Sequence, residues 1–116
     1  MMDKDNIQKV KYLNEAINKI FEFTRGMESA GDLTSNIMAW DAVKMNLVVI
    51  YEMYLKLGDD FKTKNNMVDW KQIEIHKPML ESPYLGFDSE EIWKAILDQM
   101  PVFKKQIESL LILSEI

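Results

Sequence analysis

Ala42-Val43-Lys44-Met45-Asn46-Leu47-Val48-Val49-Ile50-Tyr51 is the stretch that decides the fold. It lies in the middle of a helical segment that the pattern predicts from near Ser35 to about Leu57, where Gly58 offers a natural C-terminal stop. The stretch is apolar on more than one face, which on a surface helix would leave an exposed greasy stripe. The segment is therefore expected at the centre of a helical bundle or at a subunit interface.

Working outward, Ile7, Val10, Leu13, Ile17, Ile20 and Phe21 follow the i, i+3, i+4, i+7 rule. They predict a first helix of about five turns ending near Thr24, after which Gly26 and Gly31 break the pattern. Downstream, Asp69 is a candidate N-cap for a third helix carrying Trp70, Ile73, Ile75 and Met79 and ended by Pro83. Pro78 falls inside that helix, where it removes a backbone hydrogen bond and clashes with the preceding turn at a cost of roughly 3 kcal/mol, so a kink or an early end is expected near Lys77. Asp88 and Glu91 have capping-box spacing ahead of Ile92, Trp93, Ile96 and Leu97, which marks a fourth helix. Pro101 suits the first residue of a fifth, with Val102, Phe103, Ile107, Leu110 and Leu111 on one side. No stretch reads as a strand. The expected architecture is all-α, an up-and-down bundle of about four to five helices.

At 116 residues the chain is long enough for one core and too short for two, so residues 1–116 are expected to form a single domain. With 47% hydrophobic and 28% charged residues it has the composition of a folded soluble protein. It has no cysteine, which removes disulfides and thiolate metal sites. No long apolar run suggests a signal peptide or membrane span, so a cytoplasmic protein without membrane contact is expected. A net charge of −5, with the lysines scattered among acids, supplies no general attraction for DNA or RNA; an RNA contact would need a local basic patch.

Standard chemical signatures are few. There is no glycine-rich phosphate loop, no paired histidine for zinc and no Ser-His-Asp set, so neither a metal nor a cofactor is expected. The chain holds one histidine, His76, and one arginine, Arg25. His76, beside Lys77, reads as a partly exposed surface residue. The nine methionines read as flexible core filler. Asp59-Asp60 and Glu90-Glu91 read as solvated charges at loops and helix starts.

From about Asp41 to Leu111 the chain resembles the HepT-like branch of the HEPN superfamily. Asp41-Ala42-Val43 leads to Asn46-Leu47, Ile50 and Glu52, then Trp70 with Ile73, then Tyr84, Gly86 and Asp88, then Ile92-Trp93. Pro101 and Lys105-Gln106-Ile107-Glu108-Ser109-Leu110-Leu111 complete the series. The resemblance implies a small all-helical protein, homodimeric, and paired with a minimal nucleotidyltransferase as one half of a toxin–antitoxin system. It also implies a metal-independent ribonuclease whose motif resembles R-N-x-x-x-H-x-Y on the third helix. There the arginine holds the scissile phosphate and the histidine shuttles a proton as the ribose 2′-OH attacks, with two protomers placing their motifs across a dimer cleft.

Laid on this chain from Trp70 without a gap, the arginine position is Lys77, the asparagine is Pro78, the histidine is Ser82 and the tyrosine is Tyr84. Only the tyrosine matches. Lys77 can attract a phosphate as a point charge but lacks the planar fork. Ser82 cannot shuttle a proton near neutral pH, and losing a general acid/base typically costs about two to four orders of magnitude in rate. No other register restores the motif, because Arg25 and His76 lie far apart in the chain. The family also tends to carry arginine where this chain has Met45, and small residues where it has Tyr51 and Met53; bulk there would fill space open to RNA or a partner. The resemblance makes Tyr84 the hydroxyl that a partner nucleotidyltransferase modifies with AMP, while its neighbours Pro83 and Gly86 also suit simple packing at a helix end.

Three expectations follow. The first is a catalytically degenerate HepT-like protein that keeps its dimer and serves as a binding or regulatory partner of a nucleotidyltransferase. The second is a ribonuclease toxin in which Lys77 works with His76, Glu81 or Tyr84 on an RNA substrate. The third is a substrate-binding subunit for a nucleotidyltransferase, with a pocket between helices for a small molecule.

Overall fold

The computed structural model describes residues 3–81 and 86–115, and among them every regular element is a helix. These are α1 (Lys4–Phe23), α2 (Ala30–Ser35), α3 (Ile37–Lys56), α4 (Asp59–Lys64), α5 (Lys71–Glu74), α6 (Lys77–Glu81), α7 (Ser89–Leu97) and α8 (Gln99–Leu113). The all-α bundle is thus as expected, with short helices α2 and α4 added between the long ones.

Local chemistry sets the boundaries. Asp3 caps α1 by accepting from the Asp5 N–H at 2.9 Å, and Thr24 closes its far end. Gly26 follows with φ +80°, a left-handed turn that favours glycine. Gly31, in contrast, does not break a helix: it lies inside α2, which Ser29 caps. The start expected near Ser35 is set by Asn36, whose side chain accepts from the Ala39 N–H at 3.1 Å to begin α3. Gly58 is not a left-handed stop; α3 ends at Lys56 with Leu57 extended, and Gly58, at φ −67°, opens α4.

α1 lies along α3, and α8 and α7 complete the bundle, while α2 bridges α3 and α7. The core runs through Leu13, Ile17 and Ile20 of α1, Val43 and Ile50 of α3, Ile92 of α7, and Ile107 and Leu110 of α8. Burying each such side chain contributes about 1.5–3 kcal/mol. Tyr54, Trp70 and Phe103 form an aromatic run from α3 across to α8, with centroids 6.4 and 6.3 Å apart and the last pair edge-to-face.

Three assignments of facing residues are corrected. Ile75, Leu97 and Val102 point to solvent, 55%, 57% and 54% exposed. Leu97 ends α7, Pro101 is the third residue of α8 rather than its first, and Val102 falls one position before the buried i, i+4, i+7 face of Phe103, Ile107 and Leu110. Met38 and Met45 on α3 are 81% and 63% exposed, so the central helix does show an apolar stripe outward.

Candidate functional site

The third helix of the sequence reading is two short helices. The N-cap position of the first is Trp70 rather than the expected Asp69, which stands one residue ahead and accepts from the Lys71 N–H at 3.2 Å, and the chain breaks at Ile75 and His76 before α6 starts at Lys77. Pro78 therefore sits in the first turn of α6, where its missing N–H costs nothing. The expected interruption occurs, one to two residues ahead of Lys77.

That break orients the candidate residues. Lys77 is exposed on α6, as is Pro78. Ser82 and Tyr84, the other two motif positions, lie outside the described residues. Met45 is on the outer face of α3, Met53 is partly buried against the core, and Arg25 is exposed in the turn after α1.

His76 is not a surface residue. Its side chain is 15% exposed, and neither ring nitrogen reaches solvent or a hydrogen-bond partner among the described residues. Nδ1 lies 3.5 Å from Glu91 Oε1 on α7. Glu91 is thus drawn away from the capping box expected of it. Asp88 makes its half, accepting from the N–H groups of Glu90 and Glu91 at 3.0 and 3.2 Å, but the Asp88 N–H donates to Met79 Sδ at 3.4 Å instead of to Glu91.

Beside His76 is a cavity of about 60 Å³ between α1, α3, α5, α6, α7 and α8. Ile17, Ile50, Ile92 and Phe103 make it apolar, and Gln72 and Gln99 join His76 as its polar residues. Gln72 Nε2 donates to Asp69 Oδ2 at 3.1 Å, so the amide oxygen faces away and has no donor among the described residues. Sequence reading missed Gln72, Gln99 and the inward turn of His76. The available signal was the i, i+4 spacing of Gln72 and His76 flanking the buried Ile73.

Along the same segment, two glutamates engage α3. Tyr51 donates to Glu81 Oε2 at 3.0 Å, and Tyr54 donates to Glu74 Oε1. Burial, then the hydrogen bond to the adjacent carboxylate, raises both phenols above their usual range, Tyr54 the more strongly. Lys62 of α4 stands 4.2 Å over the Tyr54 ring. The bulk at Tyr51 therefore serves to hold α6, and Glu81 is committed to that contact. Among the described residues no group of His, Asp or Glu is placed to hold a metal ion, and no helix is long and apolar enough to cross a membrane.

A family model described as "Ribonuclease HepT-like" matches residues 13–110. A protein of Methanocaldococcus jannaschii named "Putative RNase" is 29% identical over 108 residues, covering 92% of this chain and 98% of that one. A "Probable ribonuclease HepT" of Thermococcus cleftensis is 27% identical over 109 residues, covering 94% and 98%. A third relative, a "Putative RNase" of Caldanaerobacter subterraneus, is 27% identical over 105 residues, covering 90% and 87%. No solved structure gives a significant match. The helical bundle and a family match running from Leu13 to Leu110 together mean that this chain belongs to the HepT-like family of the HEPN superfamily.

Proposed function

We propose that this chain is a catalytically degenerate HepT-like protein, acting as a dimeric binding or regulatory partner of a minimal nucleotidyltransferase. The observation that carries this reading is the burial of His76. It is the only imidazole in the chain, and both of its nitrogens are shut inside the bundle beside Glu91. A general acid/base must come within hydrogen-bond reach of the proton it moves, and an RNA backbone cannot reach this one. Glu81, a second candidate, is held by Tyr51, which leaves exposed Lys77 as a lone point charge. Arg25, the only guanidinium, stands in a different turn. The relatives' names describe ribonucleases; on the ungapped register from Trp70, this chain carries Lys77, Pro78 and Ser82 where the motif it resembles has arginine, asparagine and histidine.

Support for the dimer comes from α3, whose outer face presents Met38 and Met45 to solvent beside partly buried Val49. A second copy would cover such a stripe.

The test compares the purified protein with a Lys77→Arg, Pro78→Asn, Ser82→His variant on mixed RNA in metal-free buffer. Cleavage by the variant alone is the expected result. Cleavage by the unaltered protein would overturn degeneracy. For the partner, co-expression with a cognate nucleotidyltransferase should give a stable complex, and intact-mass measurement would show whether Tyr84 gains AMP.

A further inference from the structure

The cavity beside His76 plays no part in that proposal, yet it combines two features that rarely meet by chance. Its lining is mostly apolar and comes from every long helix, so it lies between the elements of the bundle. Within it lie buried polar atoms without partners among the described residues: Gln72 Oε1 and the ring nitrogens of His76. A buried polar group left unpaired typically costs about 1–3 kcal/mol, and most such groups in folded proteins are paired. Here two such groups, four residues apart in the chain, line one cavity.

Their chemistry specifies what they would pair with. The Asp69 carboxylate takes the amide N–H of Gln72, which leaves Oε1 as an acceptor. In the neutral imidazole, the proton belongs on Nδ1, which faces Glu91, and this leaves Nε2 as a second acceptor. No lysine or arginine lines the cavity, and Glu91 stands behind the imidazole, so a phosphate or carboxylate would meet repulsion and no cation. Size sets the remaining limit. A water takes about 30 Å³ of liquid volume, so about 60 Å³ is room for some two waters before any side chain moves. Met79 and Met100, also in the lining, are unbranched side chains that shift at little cost to admit a small ring.

We infer that this cavity binds a small neutral molecule, up to about one aromatic ring in size, that directs an N–H or O–H donor at Gln72 and His76.

The test uses phenol and pyrazole as probes, toluene and N-methylpyrazole as matched compounds without the donor, and benzoate as the anion. Binding is followed in the intact protein by NMR of isotope-labelled methionine and isoleucine methyl groups. Phenol or pyrazole should produce saturable shifts at Met79 and Met100, with toluene, N-methylpyrazole and benzoate about tenfold weaker or absent. His76→Phe and Gln72→Leu, each keeping the apolar bulk, should weaken the donor probes about five- to tenfold, the effect expected for one hydrogen bond, without weakening toluene. Either variant suffices if the other fails to fold. Absence of saturable shifts up to about 10 mM for both donor probes, a range that covers weak fragment binding, would overturn the site and leave the cavity to water. Equal binding of toluene and phenol, or unchanged phenol binding in a folded variant, would overturn the assigned role of the two acceptors.

Discussion

Tyr51 and Tyr54 each place a phenol against a glutamate, and the consequence is a pH dependence at the alkaline end. Both phenols are raised in the fold, so the stability they contribute is fully present below the unfolded tyrosine value of about 10 and is lost as pH rises through the higher folded values. Urea midpoints should therefore decline above about pH 10, and a Tyr51→Phe, Tyr54→Phe double variant should flatten that decline. At neutral pH each single replacement should cost about 1 kcal/mol, below the usual range for a bond to a charged group because Glu74 and Glu81 remain in contact with water. A double variant whose midpoint falls with pH as steeply as the unaltered protein would count against this account. Gly86 makes a second case at this scale. Its φ of +88° excludes most side chains, while a Cβ there meets nothing within 4 Å among the described residues, so Gly86→Ala should destabilise through backbone strain, by about 1–2 kcal/mol in thermal or urea unfolding.

Elements differ in how far their cause is local. Asp88→Ala should cost about 1 kcal/mol, because that side chain accepts two N–H groups at the start of α7, and the loss would show as a lower urea midpoint. This helix was readable from the sequence for the same reason: its cap and its apolar residues lie within one short segment. α1 was readable from twenty residues of unbroken periodicity. α2 and α4 were not, since six residues give under two turns and no period to detect, and Gly31 disguises α2 as a loop. The motif helix was half readable. Pro78 announced an interruption, but its placement at Ile75 and His76 depends on Glu91 and on Tyr51 and Tyr54, which lie on other helices. The burial of His76 follows from that break, which is why an imidazole read as a surface residue is turned inward. Pro78→Ala should add about one turn of helix by circular dichroism, since it restores the N–H that a joined α5–α6 would need. Unchanged ellipticity would place the cause of the break in the tertiary contacts alone.

At the scale of the whole molecule, the bundle measures 45 × 28 × 20 Å, and its long axis accommodates the 20-residue α1 and α3 at about 30 Å each. Within Ala42–Tyr51 only Met45 is exposed, the rest being buried or half-buried, and Met38 one heptad earlier extends its face; a homodimer through that face should appear in light scattering at micromolar concentration. Met38→Lys with Met45→Glu should shift the protein to monomer while leaving its helix content unchanged, because both side chains already face outward. A monomeric unaltered protein would remove that expectation.

The way α5 and α6 are fastened also sets their dynamics. They are helices of four and five residues, too short to hold themselves, secured by two phenol–carboxylate bonds on one side and by Trp70, Ile73 and Leu80 on the other. Such a segment can open without unfolding α1, α3 and α8. Its amide hydrogens should exchange with solvent as one unit, faster than those of the long helices, and a guest in the neighbouring cavity would slow that exchange without touching the rest of the chain.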